Sequence, residues 1–157
     1  MRILWIEDNK KQLKRKEDYF GSEICNSHEI KEISVFDEAY NTIKNDLEKY
    51  DFVVIDIDLT ESDIGQQGEK LREKYNISDG KTFLKTAGFD LNVQLILKGF
   101  PTEQILFFSA YIDPEKDESL NYIKKLIIAN DENNEEDFNK LINELSNYSK
   151  NEELDED

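Results

Sequence analysis

Short apolar segments alternate along the chain with segments of helical periodicity, and this alternation constrains the fold more than any other feature. The predicted strands cover residues 2–6, 30–36, 52–57, 104–109 and 126–129. The predicted helices cover residues 10–20, 37–50, 89–99, 114–125 and 135–145. Uninterrupted apolar residues from Phe52 to Ile55 are typical of a strand buried on both faces. The repeated β-α order predicts an α/β fold, with a doubly wound, five-stranded parallel sheet flanked by helices.

The length of 157 residues fits one domain, with two segments that do not belong to the alternation. We predict a single domain over residues 1–148, with an insertion at about 60–88 that holds four of the six glycines. Within the insertion, residues 68–75 predict a short helix and the remainder a loop. Residues 149–157 are predominantly acidic and are predicted to form a disordered tail.

The charge balance excludes two classes of partner. The chain has 20 Lys and Arg against 36 Asp and Glu, which gives a net charge of −16. Nucleic acids and anionic membranes are bound by clustered basic residues, so neither is an expected partner.

The single cysteine, Cys25, excludes an internal disulfide framework. Acidic residues interrupt the first apolar segment where a signal peptide would continue, and we therefore expect a cytoplasmic protein.

Acidic residues stand where two of the predicted strands end, and a hydroxyl residue stands where a third one ends. Glu7 and Asp8 follow the first strand, Asp56 and Asp58 end the third, and Ser109 ends the fourth. In open α/β sheets, ligands bind at the carboxyl ends of the strands, so these side chains form a candidate site. Crowded carboxylates repel one another unless a cation neutralises them, and oxygen ligands suit Mg²⁺. A carboxylate held beside Mg²⁺ is also suited to accept a phosphoryl group.

Three sequence segments resemble the receiver domain of two-component response regulators. ILWIEDN over residues 3–9 is similar to the family's first strand with its acidic pair. DFVVIDIDLT over 51–60 is similar to its third strand, and ILFFSAY over 105–111 to its fourth. The resemblance implies the flavodoxin-like receiver fold and a phosphoprotein of a two-component phosphorelay.

The resemblance also implies a role for each residue at the strand ends. Asp56 would be the phosphoacceptor, and Ser109 would contact the phosphoryl group and act as a switch. Glu7, Asp8 and Asp56 would bind Mg²⁺ through their carboxylates, and Asp58 through its backbone carbonyl. The chain would then be a stand-alone signalling protein rather than an enzyme. It would receive its phosphoryl group from a histidine kinase or phosphotransfer protein and act through contacts with a downstream protein target.

Departures from the receiver pattern leave two alternatives open. The family's lysine after strand five is replaced here by Asn130 and Asp131, which favours a pseudo-receiver scaffold that works without phosphorylation. The segment DIDLT also fits the Asp-x-Asp-x-Thr strand of haloacid dehalogenase-like phosphatases. In that enzyme class Asp56 would be the nucleophile, Asp58 the acid/base and Ser109 the second-motif hydroxyl, beneath a cap formed by residues 60–88.

Overall fold

A parallel β-sheet forms the centre of the molecule. The computed structural model describes residues 1–110, 126–129, 143–145 and 147. The strands are β1 Arg2–Ile6, β2 Glu29–Ile33, β3 Phe52–Ile55, β4 Ile105–Ala110 and β5 Leu126–Ala129. They lie in the order β2-β1-β3-β4-β5, and every neighbouring pair is parallel. The predicted α/β class with a parallel sheet and helices is confirmed.

Helices connect the strands in the described part of the chain. They are α1 Lys10–Leu13, α2 Lys16–Phe20, α3 Ser22–Ser27, α4 Phe36–Asp46, α5 Gln66–Lys74, α6 Gly80–Leu84 and α7 Ala87–Leu97. Short 3₁₀ turns, Leu47–Lys49 and Thr102–Gln104, lead into β3 and β4. Residues 143–145 and 147 are also helical. Among the described helices, none has both the length and the apolar character that crossing a bilayer requires.

The central strands are apolar throughout because each of their faces is covered. Alternate residues of a strand point to opposite faces of the sheet. Leu4 and Val53 pack into a core with α4, α6 and α7, whereas Trp5 and Val54 pack into a second core with α2 and α3. The unbroken apolar segments are therefore explained by burial on both faces, as predicted.

The strand order places the carboxyl ends of β1 and β3 side by side. The chain passes from β1 outward to β2 and then returns to β3 on the other side of β1. Ile6 pairs with Ile55, so these two strands end at the same level. The acidic residues that follow each strand therefore emerge at one point of the sheet edge.

The first helical region differs from its prediction. A single helix was expected over residues 10–20, but the chain forms α1 and α2 with a break at Lys14 and Arg15. Asn9 caps α1 by accepting hydrogen bonds from the amides of Lys11 and Gln12, at 2.9 and 3.2 Å. Arg15 leaves the helical conformation, with φ −98° and ψ 28°, and a new helix begins after it.

The insertion at residues 60–88 is more ordered than the sequence indicates. The predicted short helix corresponds to α5, but the expected loop also contains α6, so that part of the prediction was wrong. Asp79 caps α6 by accepting from the amide of Thr82 at 2.8 Å. Phe83 and Leu84 are buried in the core, and this burial stabilises a helix too short to be recognised from its pattern.

Several predicted elements lie outside the residues that the structure describes. The helix predicted over 114–125, most of the helix over 135–145 and the tail over 149–157 lie outside the described residues. The positions that replace the family's lysine, Asn130 and Asp131, lie outside them as well.

Candidate metal centre

Three carboxylates converge where β1 and β3 end. Glu7, Asp8 and Asp56 each bring a carboxylate oxygen to within 4.8 Å of the other two. Asp56 directly follows β3, and its amide donates a 2.9 Å hydrogen bond to the carbonyl of Ile6. The parallel ladder thus continues one residue beyond β3 and holds Asp56 against the end of β1.

Glu7 is the most deeply buried member of this acidic cluster. Its residue is only 4% exposed, and its Oε1 accepts a 3.1 Å hydrogen bond from the amide of Asn9. The pKa of Glu7 is raised to about 10; burial is the largest cause, and the charge of Asp56 and a side-chain hydrogen bond with Asp56 contribute to the increase. Two carboxyl groups share a hydrogen bond only when one carries a proton, so this pair retains a proton when no cation is bound.

Asp8 is held by the segment that follows β3. Its residue is 7% exposed, and its Oδ2 accepts a 2.7 Å hydrogen bond from the amide of Glu61. Burial raises the pKa of Asp8, the hydrogen bond from Glu61 opposes that change, and the charges of Glu61 and Asp58 add to it. In the described part of the chain, neither Asp8 nor Glu7 forms a salt bridge.

The turn after Asp56 is fixed by the start of α7. The amide of Gly88 donates a 3.0 Å hydrogen bond to the carbonyl of Ile57. A Cβ atom at Gly88 would lie 2.5 Å from the carbonyl oxygen of Asp56 and 2.6 Å from the Cα of Ile57. Only glycine permits this approach of two backbones, so Gly88 helps to position the main chain at the acidic cluster.

Asp58 and Ser109 are the other two residues that the sequence predicts for the site. The Asp58 carboxylate accepts a 3.0 Å hydrogen bond from the amide of Thr60 and is not a member of the acidic cluster. Ser109 lies in β4, where its backbone pairs with Ile128. Its side chain lies outside the described residues, and so do Lys116, Lys124 and Lys125, the lysines nearest in sequence to the end of the sheet.

The acidic cluster fits a hard divalent cation. Oxygen ligands around Mg²⁺ lie roughly 3–4 Å apart, given metal–oxygen distances of about 2.1 Å, and the observed spacing allows this. Glu7 and Asp8 are buried and have no cationic partner in the described part of the chain. A bound cation would offset the repulsion between their negative charges and the cost of burying them. Glu7, Asp8 and Asp56 are therefore the residues that would hold it.

The comparisons with known proteins bear on the fold alone. No family model matches the chain, and no curated protein matches it. A similar solved structure is described as a yeast Spc42 trimeric coiled coil, amino acids 181–211, fused to another structure. It shares 17% identity and a TM-score of 0.50, over 99% of this chain and 86% of that chain. At this identity the likeness concerns the backbone path and carries no statement about function.

Sequence reasoning missed two residues that shape the acidic cluster. Glu61 acts through its backbone amide, and no side-chain pattern reveals such a role. Gly88 had a detectable signal, because a glycine near the start of a helix can mark a close backbone approach. Its partners, Asp56 and Ile57, were visible only in three dimensions.

Proposed function

We propose that the chain is a receiver-like signalling protein that accepts a phosphoryl group on Asp56 with Mg²⁺ bound beside it. The observation that carries the proposal is the convergence of the Glu7, Asp8 and Asp56 carboxylates at the carboxyl ends of β1 and β3. Signalling would then proceed through contacts with a downstream protein target.

The strand order supports the flavodoxin-like, doubly wound arrangement. The order 2-1-3-4-5 is that of flavodoxin-like sheets, in which ligands bind at the switch point between the first and third strands. The acidic cluster lies at this switch point, because β1 and β3 are neighbours and end together. The strand order and the carboxylate chemistry therefore both indicate a ligand site where β1 and β3 end.

The phosphoryl transfer would use Asp56 as the nucleophile. A carboxylate oxygen of Asp56 attacks the phosphorus of a phosphohistidine, an O–P bond forms, and the N–P bond of the donor breaks. The departing imidazole takes up a proton. Mg²⁺ would neutralise negative charge on the phosphoryl oxygens and on the carboxylates around them. Glu7 and Asp8 would hold that cation, since both carboxylates are fixed by backbone hydrogen bonds.

The position of Asp58 favours a receiver over a haloacid dehalogenase-like phosphatase. The phosphatase would need the Asp58 carboxyl group at the reaction centre as an acid/base. In the structure this carboxylate accepts from the Thr60 amide and lies outside the acidic cluster. A receiver uses the backbone carbonyl at this position, which leaves the side chain available for such a turn.

The test is phosphorylation by a small donor. The protein is incubated with acetyl phosphate and Mg²⁺, and its intact mass is measured. The wild-type chain should gain one phosphoryl group that is lost at alkaline pH, and Asp56→Asn should gain none. Asp63→Asn is a matched control, because it removes an exposed carboxylate from the same region. Beryllofluoride with Mg²⁺ should also change the fluorescence of Trp5, which lies two residues before Glu7 and is 1% exposed.

The same assay separates the alternatives. Mg²⁺ binding without phosphoryl uptake would support the pseudo-receiver scaffold, which the residues Asn130 and Asp131 favour. Turnover of an aryl phosphate that is lost in both Asp56→Asn and Asp58→Asn would support the phosphatase. Asp58→Asn keeps its backbone carbonyl, so a receiver with this substitution should still be phosphorylated.

A further inference from the structure

A cavity lies at the edge of the sheet opposite the acidic cluster. It has a volume of about 390 Å³ and is lined by residues that precede β3 and β4, including Tyr50 and Gln104. β3 spans four residues, or about 13 Å, between this edge and Asp56. The cavity is therefore separate from the proposed phosphorylation site.

Aromatic and aliphatic side chains form part of the lining of the cavity. Tyr50, Phe100 and Leu47 line it, and each belongs to or packs against the core that α4, α6 and α7 form on one face of the sheet. Small-molecule sites in proteins commonly occupy 300–1,000 Å³ and combine apolar walls with a few polar groups. The volume of this cavity lies within that range, and its lining combines apolar and polar groups.

Two lysines from different helices stand at the rim of the cavity. Lys44 is in the last turn of α4, and Lys98 follows the last residue of α7. Both are exposed, and within the described part of the chain neither forms a salt bridge. The rim of the cavity therefore carries two positive charges, although the chain as a whole has a net charge of −16.

The end of α7 does not require Lys98 as a cap. The amides of Gly99 and Phe100 donate 3.0 Å hydrogen bonds to the carbonyls of Ile96 and Leu95. Gly99 has φ +79°, so the helix ends in the left-handed conformation that satisfies its last carbonyls. The ammonium group of Lys98 is thus available to a ligand.

We propose that this cavity binds a small organic monoanion, a carboxylate attached to a planar apolar body. Lys44 and Lys98 supply two positive charges and Glu48 at the rim supplies one negative charge, which leaves a net charge of +1. That balance suits one carboxylate and disfavours ligands with several negative charges. The rings of Tyr50 and Phe100 would contact the planar body, and the lysines would bind the carboxylate.

The test uses naphthoate as the probe and naphthalenemethanol as its uncharged counterpart. Amide chemical shifts of the full chain are followed by NMR during titration with each compound. Naphthoate should shift the amides of Gly99 and Phe100 in a saturable way, and the alcohol should bind more weakly. Lys44→Met and Lys98→Met should each weaken naphthoate binding by about two- to fivefold. Glu48→Gln should strengthen it, because it removes a like charge.

Lys85→Met is the matched control, since Lys85 is exposed and does not line the cavity. All four substituted residues are exposed, so the variants should keep the wild-type fold, which their spectra will show. Equal binding of the acid and the alcohol would overturn the proposal. It would also be overturned if the shifts appeared elsewhere, or if the Lys44 and Lys98 variants bound as the Lys85 variant does. Asp56 takes no part in this experiment, so its result is independent of the proposed phosphorylation.

Discussion

The backbone amide of Glu61 donates a 2.7 Å hydrogen bond to Oδ2 of Asp8, and this bond joins the insertion to the acidic cluster. The next residue, Ser62, is buried and anchors the same segment. Its hydroxyl accepts a 3.0 Å hydrogen bond from the amide of Phe36 and donates one to the carbonyl of Asp63. The insertion thus helps to set the geometry of a candidate metal ligand.

Ser62→Ala should reduce both stability and Mg²⁺ affinity. The substitution leaves the amide of Phe36 without its acceptor, at a cost of about 1–3 kcal/mol in the free energy of unfolding. The segment that presents Glu61 to Asp8 would also loosen. Urea denaturation and Mg²⁺ titration measure the two effects. Ser78→Ala removes an exposed hydroxyl and should change neither. Unchanged Mg²⁺ affinity in Ser62→Ala would show that the anchor does not affect the cluster.

Gly88→Ala should destabilise the protein and weaken cation binding together. The added Cβ would lie within 2.6 Å of main-chain atoms of Asp56 and Ile57, which cannot move without displacing the cluster. A cost of about 1–3 kcal/mol is expected for such overpacking. Gly80→Ala is the matched control, because its nearest neighbour would be a side-chain atom of Ile64 at 3.1 Å. Thermal unfolding with and without Mg²⁺ compares the two variants. Equal losses of stability and of Mg²⁺-dependent stabilisation in both would contradict the proposed role of Gly88.

Glu7 should make the metal-free protein less stable as pH rises. Its pKa is raised from 4.5 to about 10 in the folded chain, so between these values the unfolded state releases a proton that the folded state keeps. The free energy of unfolding should therefore fall across this range, by at most about 1.4 kcal/mol per pH unit. Urea denaturation in the presence of a chelator at pH 5, 7 and 9 measures this fall in the free energy of unfolding, because the three pH values are spaced through the range between the two pKa values. Glu7→Gln cannot ionise and should flatten the dependence; parallel curves for both proteins would contradict the prediction.

Asp90→Asn should stabilise the protein at alkaline pH and not at acidic pH. Burial raises the pKa of Asp90 from 3.8 to about 6, so ionisation above that pH costs folding free energy. We expect a gain of about 1–2 kcal/mol at about pH 8, after allowance for solvent screening and the α7 dipole. Well below the ordinary pKa of 3.8 the wild-type carboxyl is neutral in both states, and the gain should vanish. A gain in the free energy of unfolding that is independent of pH would contradict this prediction and indicate that the substitution acts through side-chain packing.

The candidate cluster was largely predictable, because strand ends are read directly from hydrophobic patterns. Glu7, Asp8 and Asp56 each follow an apolar segment, and parallel strands bring their carboxyl ends to one edge. Asp58 was grouped with them by sequence, but its carboxylate accepts from the Thr60 amide. A one-dimensional pattern cannot distinguish an acid that points into a site from one that caps a turn.

Helices α3 and α6 were not predictable for a related reason. Each has six residues or fewer, which is too short for helical periodicity to be recognised. They form because Ile24 in α3 and Phe83 in α6 are buried against the sheet. Their stability comes from tertiary packing rather than from local preference.

The sequence by itself determined the α/β class, the apolar central strands and the acids at their ends. These features depend on local periodicity and on the chemistry of individual residues, and both can be read from the linear sequence. The tertiary structure decided which backbone groups hold those acids: the amide of Glu61 on Asp8, and Gly88 against the main chain of Asp56. It also decided that Lys44 and Lys98 share one cavity. Such contacts join residues far apart in the chain, and only the packing of α4, α7 and the sheet brings them together.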